Sequence, residues 1–208
     1  MMKFTCRQKP GLMPVVIVPC FMGLALLLAS CSVTQPVQDQ VTRHLLQPVF
    51  AEVQQNRRQP RVAVARPVLP GYLDAMSMVT RSASGQIRSH RQDLWAEPLD
   101  VNMSRVLASN LRRLTRSPHV QTVESFVTAD YDRLLEIRVH QFDPDPIGRL
   151  VLECDWRLQP LEGGDVATRQ FRTEVPMAGG SAASMSAQVI AMNEALGRLA
   201  ASIAADLR

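Results

Sequence analysis

In Arg149-Leu150-Val151-Leu152-Glu153-Cys154-Asp155-Trp156-Arg157-Leu158, one set of residues is apolar throughout and the interleaved set is largely charged. Leu150, Leu152, Cys154, Trp156 and Leu158 point one way, and Arg149, Val151, Glu153, Asp155 and Arg157 point the other. A period of two belongs to a strand with one dry and one wet face. The preceding stretch, Leu134 to Phe142, repeats the pattern: Leu135, Ile137 and Val139 share a face opposite Glu136, Arg138 and His140. Between the two lies Asp143-Pro144-Asp145-Pro146, a chain reversal by composition. Glu162-Gly163-Gly164-Asp165 makes a second reversal, after which Val166 to Val175 returns as a third strand. The three form an antiparallel meander that needs cover on its apolar side.

Two helical stripes supply that cover. From Leu99 the apolar residues fall at Met103, Val106, Leu107, Leu111 and Leu114, the spacing of one buried helix face. Pro98 suits the helix start, Asp100 and the trio Arg112, Arg113 and Arg116 match the helix dipole, and Pro118 ends the run. The last stretch, Ala182 to Leu207, repeats Met185, Val189, Met192, Leu196, Leu199 and Ile203 at intervals of four and three. Packing across the sheet is the expected use of that seam, with a coiled-coil partner as the other. Earlier elements are shorter. Thr42 to Val49 reads as a first strand ended by Pro48, Phe50 to Arg58 as a connection, and Arg61 to Arg66 as a strand closed by Pro67 and Pro70. Met76 to Arg91, centred on Arg81-Ser82-Ala83-Ser84-Gly85, reads as a β-hairpin, and His119 to Val123 as one more short strand. The expected class is α+β: an antiparallel sheet, meander plus hairpin, with two main helices on one face.

The N-terminus is of a different kind. Lys3, Arg7 and Lys9 precede an apolar run from Gly11 to Leu28, which leads into Leu28-Ala29-Ser30-Cys31. Pro14 and Pro19 interrupt the run, against a permanent membrane helix. The pattern reads as a lipoprotein signal: residues 1–30 are cleaved, and Cys31 carries a diacylglycerol and an N-acyl chain. Ser32 to Gln40 is polar and completes the anchor-and-tether segment 31–40, spanning at most about 30 Å. Residues 41–208 are then a single domain. Ser32, where an aspartate would favour the inner membrane, implies the outer membrane of a Gram-negative cell, periplasmic face.

Composition narrows the function classes. Loss of Lys3, Arg7 and Lys9 lowers the formal charge from +4 by three, to +1. All remaining basic residues are arginines, scattered rather than gathered on one face, so nucleic acid is not an expected partner. Cys154 alone survives as a thiol, set in mid-strand where a buried, inert cysteine is usual. One cysteine and four dispersed histidines suggest no metal site. No Gly-x-Ser-x-Gly, His-Glu-x-x-His or Gly-x-x-x-x-Gly-Lys motif occurs, and no catalytic residue is expected. His140 reads as a solvated histidine, His119 as part of a connection, and Asp143 and Asp145 as turn residues rather than a calcium loop.

One combination is distinctive. A Val-x-Val strand and Pro67 lead into Leu69-Pro70-Gly71-Tyr72-Leu73; a hairpin follows, then Asp93-Leu94-Trp95-Ala96-Glu97-Pro98-Leu99 opens a helix with Leu107, Asn110 and Leu111. With the lipobox, this resembles the PqiC-type auxiliary lipoproteins of ABC-type and MCE lipid-transport systems. The tyrosines such chains usually carry soon after the lipidated cysteine are replaced here by His44-Leu45-Leu46. The resemblance implies an accessory, non-enzymatic docking subunit with no cofactor besides the acyl groups. Its implied partner is an MCE-domain protein of a PqiB-like system, and homo-oligomers are consistent with it. Tyr72, Leu73, Leu94 and Trp95 are the candidate partner-binding residues, with bracing of the hairpin on the first helix as their alternative role. Competing functions are a structural envelope lipoprotein that binds peptidoglycan or scaffolds another complex, and a lipid-carrying domain with its own cavity.

Overall fold

The computed structural model describes residues 40–54, 61–123, 131–164, 166 and 168–207. The expected signal segment 1–30, Cys31 and the tether to residue 39 lie outside the described residues, as do positions 55–58 of the expected connection.

The alternating stretch is β7 (Arg149–Pro160), paired antiparallel with β6 (Arg133–Pro144) on one side and β8 (Arg169–Pro176) on the other. Two short strands extend this sheet beyond β6. They are β2 (Val62–Val64) and β5 (Val120–Thr122), giving the order β5-β2-β6-β7-β8. A second sheet, β1-β4-β3, combines β1 (Thr42–His44) with the hairpin β3 (Ser77–Arg81) and β4 (Ile87–Trp95). Helix α1 (Leu99–Thr115) follows β4, and α2 (Met185–Asp206) ends the fold.

The α+β class read from the sequence holds, with two differences: the hairpin forms a sheet of its own with β1 instead of joining the meander, and the strand directions are mixed. The meander and hairpin are antiparallel, but β2 pairs parallel with both β5 and β6, and β1 parallel with β4. Each of these added strands has three residues, too few for an alternation to specify a partner or a direction.

The predicted stripes of both helices are buried in one core with the dry face of the meander, α1 alongside β2 and β5 and α2 across β7 and β8. Met103, Leu107 and Leu111 of α1, and Met192, Leu196, Leu199 and Ile203 of α2, are at most 1 % exposed in the same cluster as Leu135, Leu152 and Trp156. Each such side chain contributes about 1.5–3 kcal/mol by leaving water. Ser184 caps α2 by accepting from the Ala187 amide at 3.2 Å. Arg116, at φ 57, ends α1 in the left-handed region one residue before the Ser117-Pro118 pair. Gly148 closes the β6–β7 turn at φ +87, and a Cβ there would lie 1.9 Å from the Gly180 carbonyl carbon, so only glycine lets the two backbones meet.

The expected first strand stops at His44; residues 45–49 continue without strand pairing. Side chains replace the missing neighbour strand. The Gln47 amide donates to Asn193 Oδ1 at 2.9 Å and the Val49 amide to Asn110 Oδ1 at 3.1 Å. Asn102, with its amide oriented to suit both neighbours, accepts from the Leu46 amide at 2.9 Å and donates to its carbonyl. Arg113 donates to the Phe50 carbonyl. Three asparagines on two helices thus satisfy an extended strap that no strand covers. Gly197 permits its close approach, since a Cβ there would sit 2.4 Å from Val49 Cγ2.

Candidate functional site

The two sheets meet at Tyr72, Arg81 and Asp143. A bulge between Val139 and Gln141 shifts the alternation of β6 by one residue. Phe142 consequently turns into the core, and Asp143 falls on the opposite side, yet both are 0 % exposed. Asp143 is covered because Arg81 Nε donates to its Oδ2 at 2.8 Å, and Tyr72 Oη donates to its Oδ1 at 3.2 Å. Arg81 Nη2 also donates to Tyr72 Oη at 3.0 Å, and the guanidinium lies 5.3 Å from the Tyr72 ring centroid. Burial, with the Asp143 charge beside it, pushes the Tyr72 phenol up to about 12. The carboxylate's hydrogen bond holds the Arg81 guanidinium above its ordinary value. The triad braces the hairpin against the meander. Asp143, expected as a turn residue, is its centre. No local signal links it to Arg81, which lies 62 positions away.

The four residues suggested for partner binding separate by burial. Pro70 to Leu73 form a turn closed by the Leu73 amide on the Pro70 carbonyl at 2.9 Å. It places Leu73 inward, 4 % exposed, and Tyr72 half-buried over Asp143. Trp95 ends β4 at 3 % exposure, in the same core cluster as Leu73, and its amide donates to the Met76 carbonyl at 2.7 Å. Leu94 is half-buried on the other side of β4, in register with Arg43. Next to it, His44 and Asp93 bond at 2.8 Å and tie β1 to β4. Leu73 and Trp95 thus brace the hairpin, and only Tyr72 and Leu94 keep surface that another molecule can touch.

The remaining reactive side chains are engaged elsewhere. Cys154 is 1 % exposed, and burial, aided by the Asp155 and Glu153 charges, pushes its thiol up to about 12. His140 bonds Asp155 at 2.8 Å on the outer sheet face, beside a Glu136–Arg157 pair at 2.7 Å. Asp145 accepts from the Ile147 and Arg149 amides and pairs with the Arg149 guanidinium, closing the β6–β7 turn as its sequence suggested. Among the described residues no group of three histidine, cysteine, aspartate or glutamate side chains could hold a metal ion. No described helix is long and apolar enough to cross a membrane.

The arrangement is that of a small α+β domain with braced surfaces, and comparison with known proteins gives that class a family. A model of the ABC-type transport auxiliary lipoprotein component matches residues 44–204. The chain belongs to this family, whose members are auxiliary to transport and not typically enzymes, and whose lipoprotein character is consistent with a membrane-anchored place in the envelope. No curated protein sequence matches it. Among solved structures, the crystal structure of an uncharacterized protein is similar at 21 % identity and TM-score 0.61, over 78 % of this chain and 99 % of that one. A Xanthomonas campestris protein of the family DUF330 is similar at 18 % identity and TM-score 0.60, over 78 % and 92 % respectively. These likenesses show a shared fold.

Proposed function

We propose that this auxiliary lipoprotein is the outer-membrane docking subunit of an MCE-type, PqiB-like system that moves lipid across the envelope and so supports membrane integrity. Its anchor is Cys31, bearing a diacylglycerol and an N-acyl chain, and its folded part is the single domain 41–208 at the periplasmic face. The observation that carries the reading is the family match over 44–204, placed directly after a lipobox and polar tether. The physical sense lies in the cargo: acyl chain exposed to water costs about 0.8 kcal/mol per CH₂. A sheltered route therefore needs a fixed docking point at each membrane. Tyr72 and Leu94 offer partner-facing surface, while Leu73 and Trp95 hold the backbone that presents them. Self-association would multiply these contacts around the partner.

The test is affinity purification of the mature lipoprotein from its own membranes in mild detergent. The MCE-domain protein is expected to co-purify, and intact mass is expected to begin at an acylated Cys31. Absence of the MCE protein, with the lipoprotein recovered in the peptidoglycan fraction instead, overturns the docking role.

A further inference from the structure

A cleft of about 480 Å³ opens where the tip of the β3–β4 hairpin, the β6–β7 turn and the start of α2 come together. Its walls differ in character. One is the hairpin face that bears Thr80, Arg88 and His90: Thr80 stands opposite Arg88 in the ladder, and Met78, opposite His90, continues that face into the core. Thr80 Oγ1 and His90 Nε2 are hydrogen-bonded at 3.0 Å, which leaves the other ring nitrogen of His90 free. The other wall is apolar, made of Pro144 and Pro146 of the turn with Met177 and Met185 half-buried beside them.

Charge in the cleft is positive in balance. Arg81 is matched by Asp143, and Asp145 of the turn is held by the Arg149 guanidinium and by the Ile147 and Arg149 amides. Arg88 is exposed and has no ion pair among the described residues. Helix α2 starts at Met185 on the wall, so its positive end borders the same space. At the floor lies Gln188, 2 % exposed. Its Nε2 donates to the Val79 carbonyl at 3.1 Å, and its Oε1 has no hydrogen-bond partner among the described residues. A buried acceptor without a donor is uncommon in a folded domain.

These groups suit a phosphate ester with an apolar extension. The Arg88 fork and the free ring nitrogen of His90 can take phosphate oxygens. Gln188 Oε1 supplies an acceptor for a hydroxyl of the esterified alcohol, and the adaptable methionine side chains can cover the first carbons of an acyl chain. We infer that this cleft binds the glycerophosphate headgroup of a phospholipid. The choice of a lipid over a free phosphate ester as the source rests on the transport role proposed above; the site itself does not.

Titration calorimetry of the mature lipoprotein in dodecyl maltoside tests this, with dihexanoyl phosphatidylglycerol, glycerol 3-phosphate and inorganic phosphate as separate probes. The lipid is expected to bind roughly tenfold or more tightly than either phosphate probe, because only it places acyl carbons on the methionines. R88Q should weaken lipid binding about tenfold or more, while R43Q, which removes another exposed arginine of the small sheet, leaves it unchanged. Hydrogen exchange should slow at amides 80–90 and 185–188 on adding the lipid and stay unchanged at β5. No binding of any probe at millimolar concentration overturns the site. Equal losses in R88Q and R43Q also overturn it, because overall charge would then be what the lipid reads. Binding of glycerol 3-phosphate or inorganic phosphate as tightly as the lipid overturns the lipid as source. Co-purification of the transport partner is a separate readout, so failure here is distinct from failure of the docking role.

Discussion

Replacing Arg81 by Met should cost more stability than replacing Asp143 by Asn, although both break the same ion pair. The reason is the inequality of burial: the Arg81 side chain is 30 % exposed and that of Asp143 0 %. Without Arg81, Asp143 keeps only Tyr72 Oη as a side-chain donor, and an uncompensated buried carboxylate costs about 3–5 kcal/mol. In D143N, Arg81 can swing its guanidinium to water; what is lost is a charge-assisted hydrogen bond, about 1.5–3 kcal/mol. The Met side chain keeps the aliphatic packing under Tyr72, so the difference reads charge rather than volume. Each kcal/mol shifts the melting temperature of a chain this size by roughly 2–4 °C. R81M should therefore melt about 6–20 °C below wild type, and D143N closer to it. Thermal unfolding followed by circular dichroism measures both, with the double variant completing the cycle. Equal losses, or a larger loss in D143N, would refute the idea that solvent access sets the cost.

Other substitutions probe separate parts of the fold. Trp95→Ala should lower stability by about 3–5 kcal/mol through the cavity left in the core, with co-purification of the transport partner preserved at temperatures where the variant is folded. Gly197→Ala should push Val49 aside and loosen the strap, costing about 1–3 kcal/mol, and limited proteolysis should then cut within 45–54 while leaving 61–123 intact. For pH, burial raises the Asp145 carboxyl, but the Arg149 amide and guanidinium and the Ile147 amide outweigh it and leave it below its ordinary value. A depressed carboxyl stabilises the fold above its unfolded pKa of about 3.9 and loses that contribution as pH falls further. Chemical denaturation at stepped pH should show D145N nearer to wild type in strongly acid solution than at neutral pH.

Local pattern alone sufficed for the meander, the hairpin and both helices, because each is specified by neighbours within a turn or a strand. Leu150 to Leu158 alternate whatever they pair with, and the stripe from Leu99 to Leu111 is helical whatever it covers. The family, too, was legible in the pairing of Leu69 to Leu73 with Asp93 to Leu99. Three-residue strands such as Val62–Val64 carry no such information, and their parallel pairing is decided by where the longer elements return the chain. Nor could spacing reveal that a bulge at His140 would send Asp143 beneath Tyr72 and Arg81, or that Asn102, Asn110 and Asn193 would hold a strap in place of a strand. These arrangements join residues scores of positions apart. Their energy exists only once the backbone has brought the donors and acceptors together out of water, so tertiary structure alone decides them.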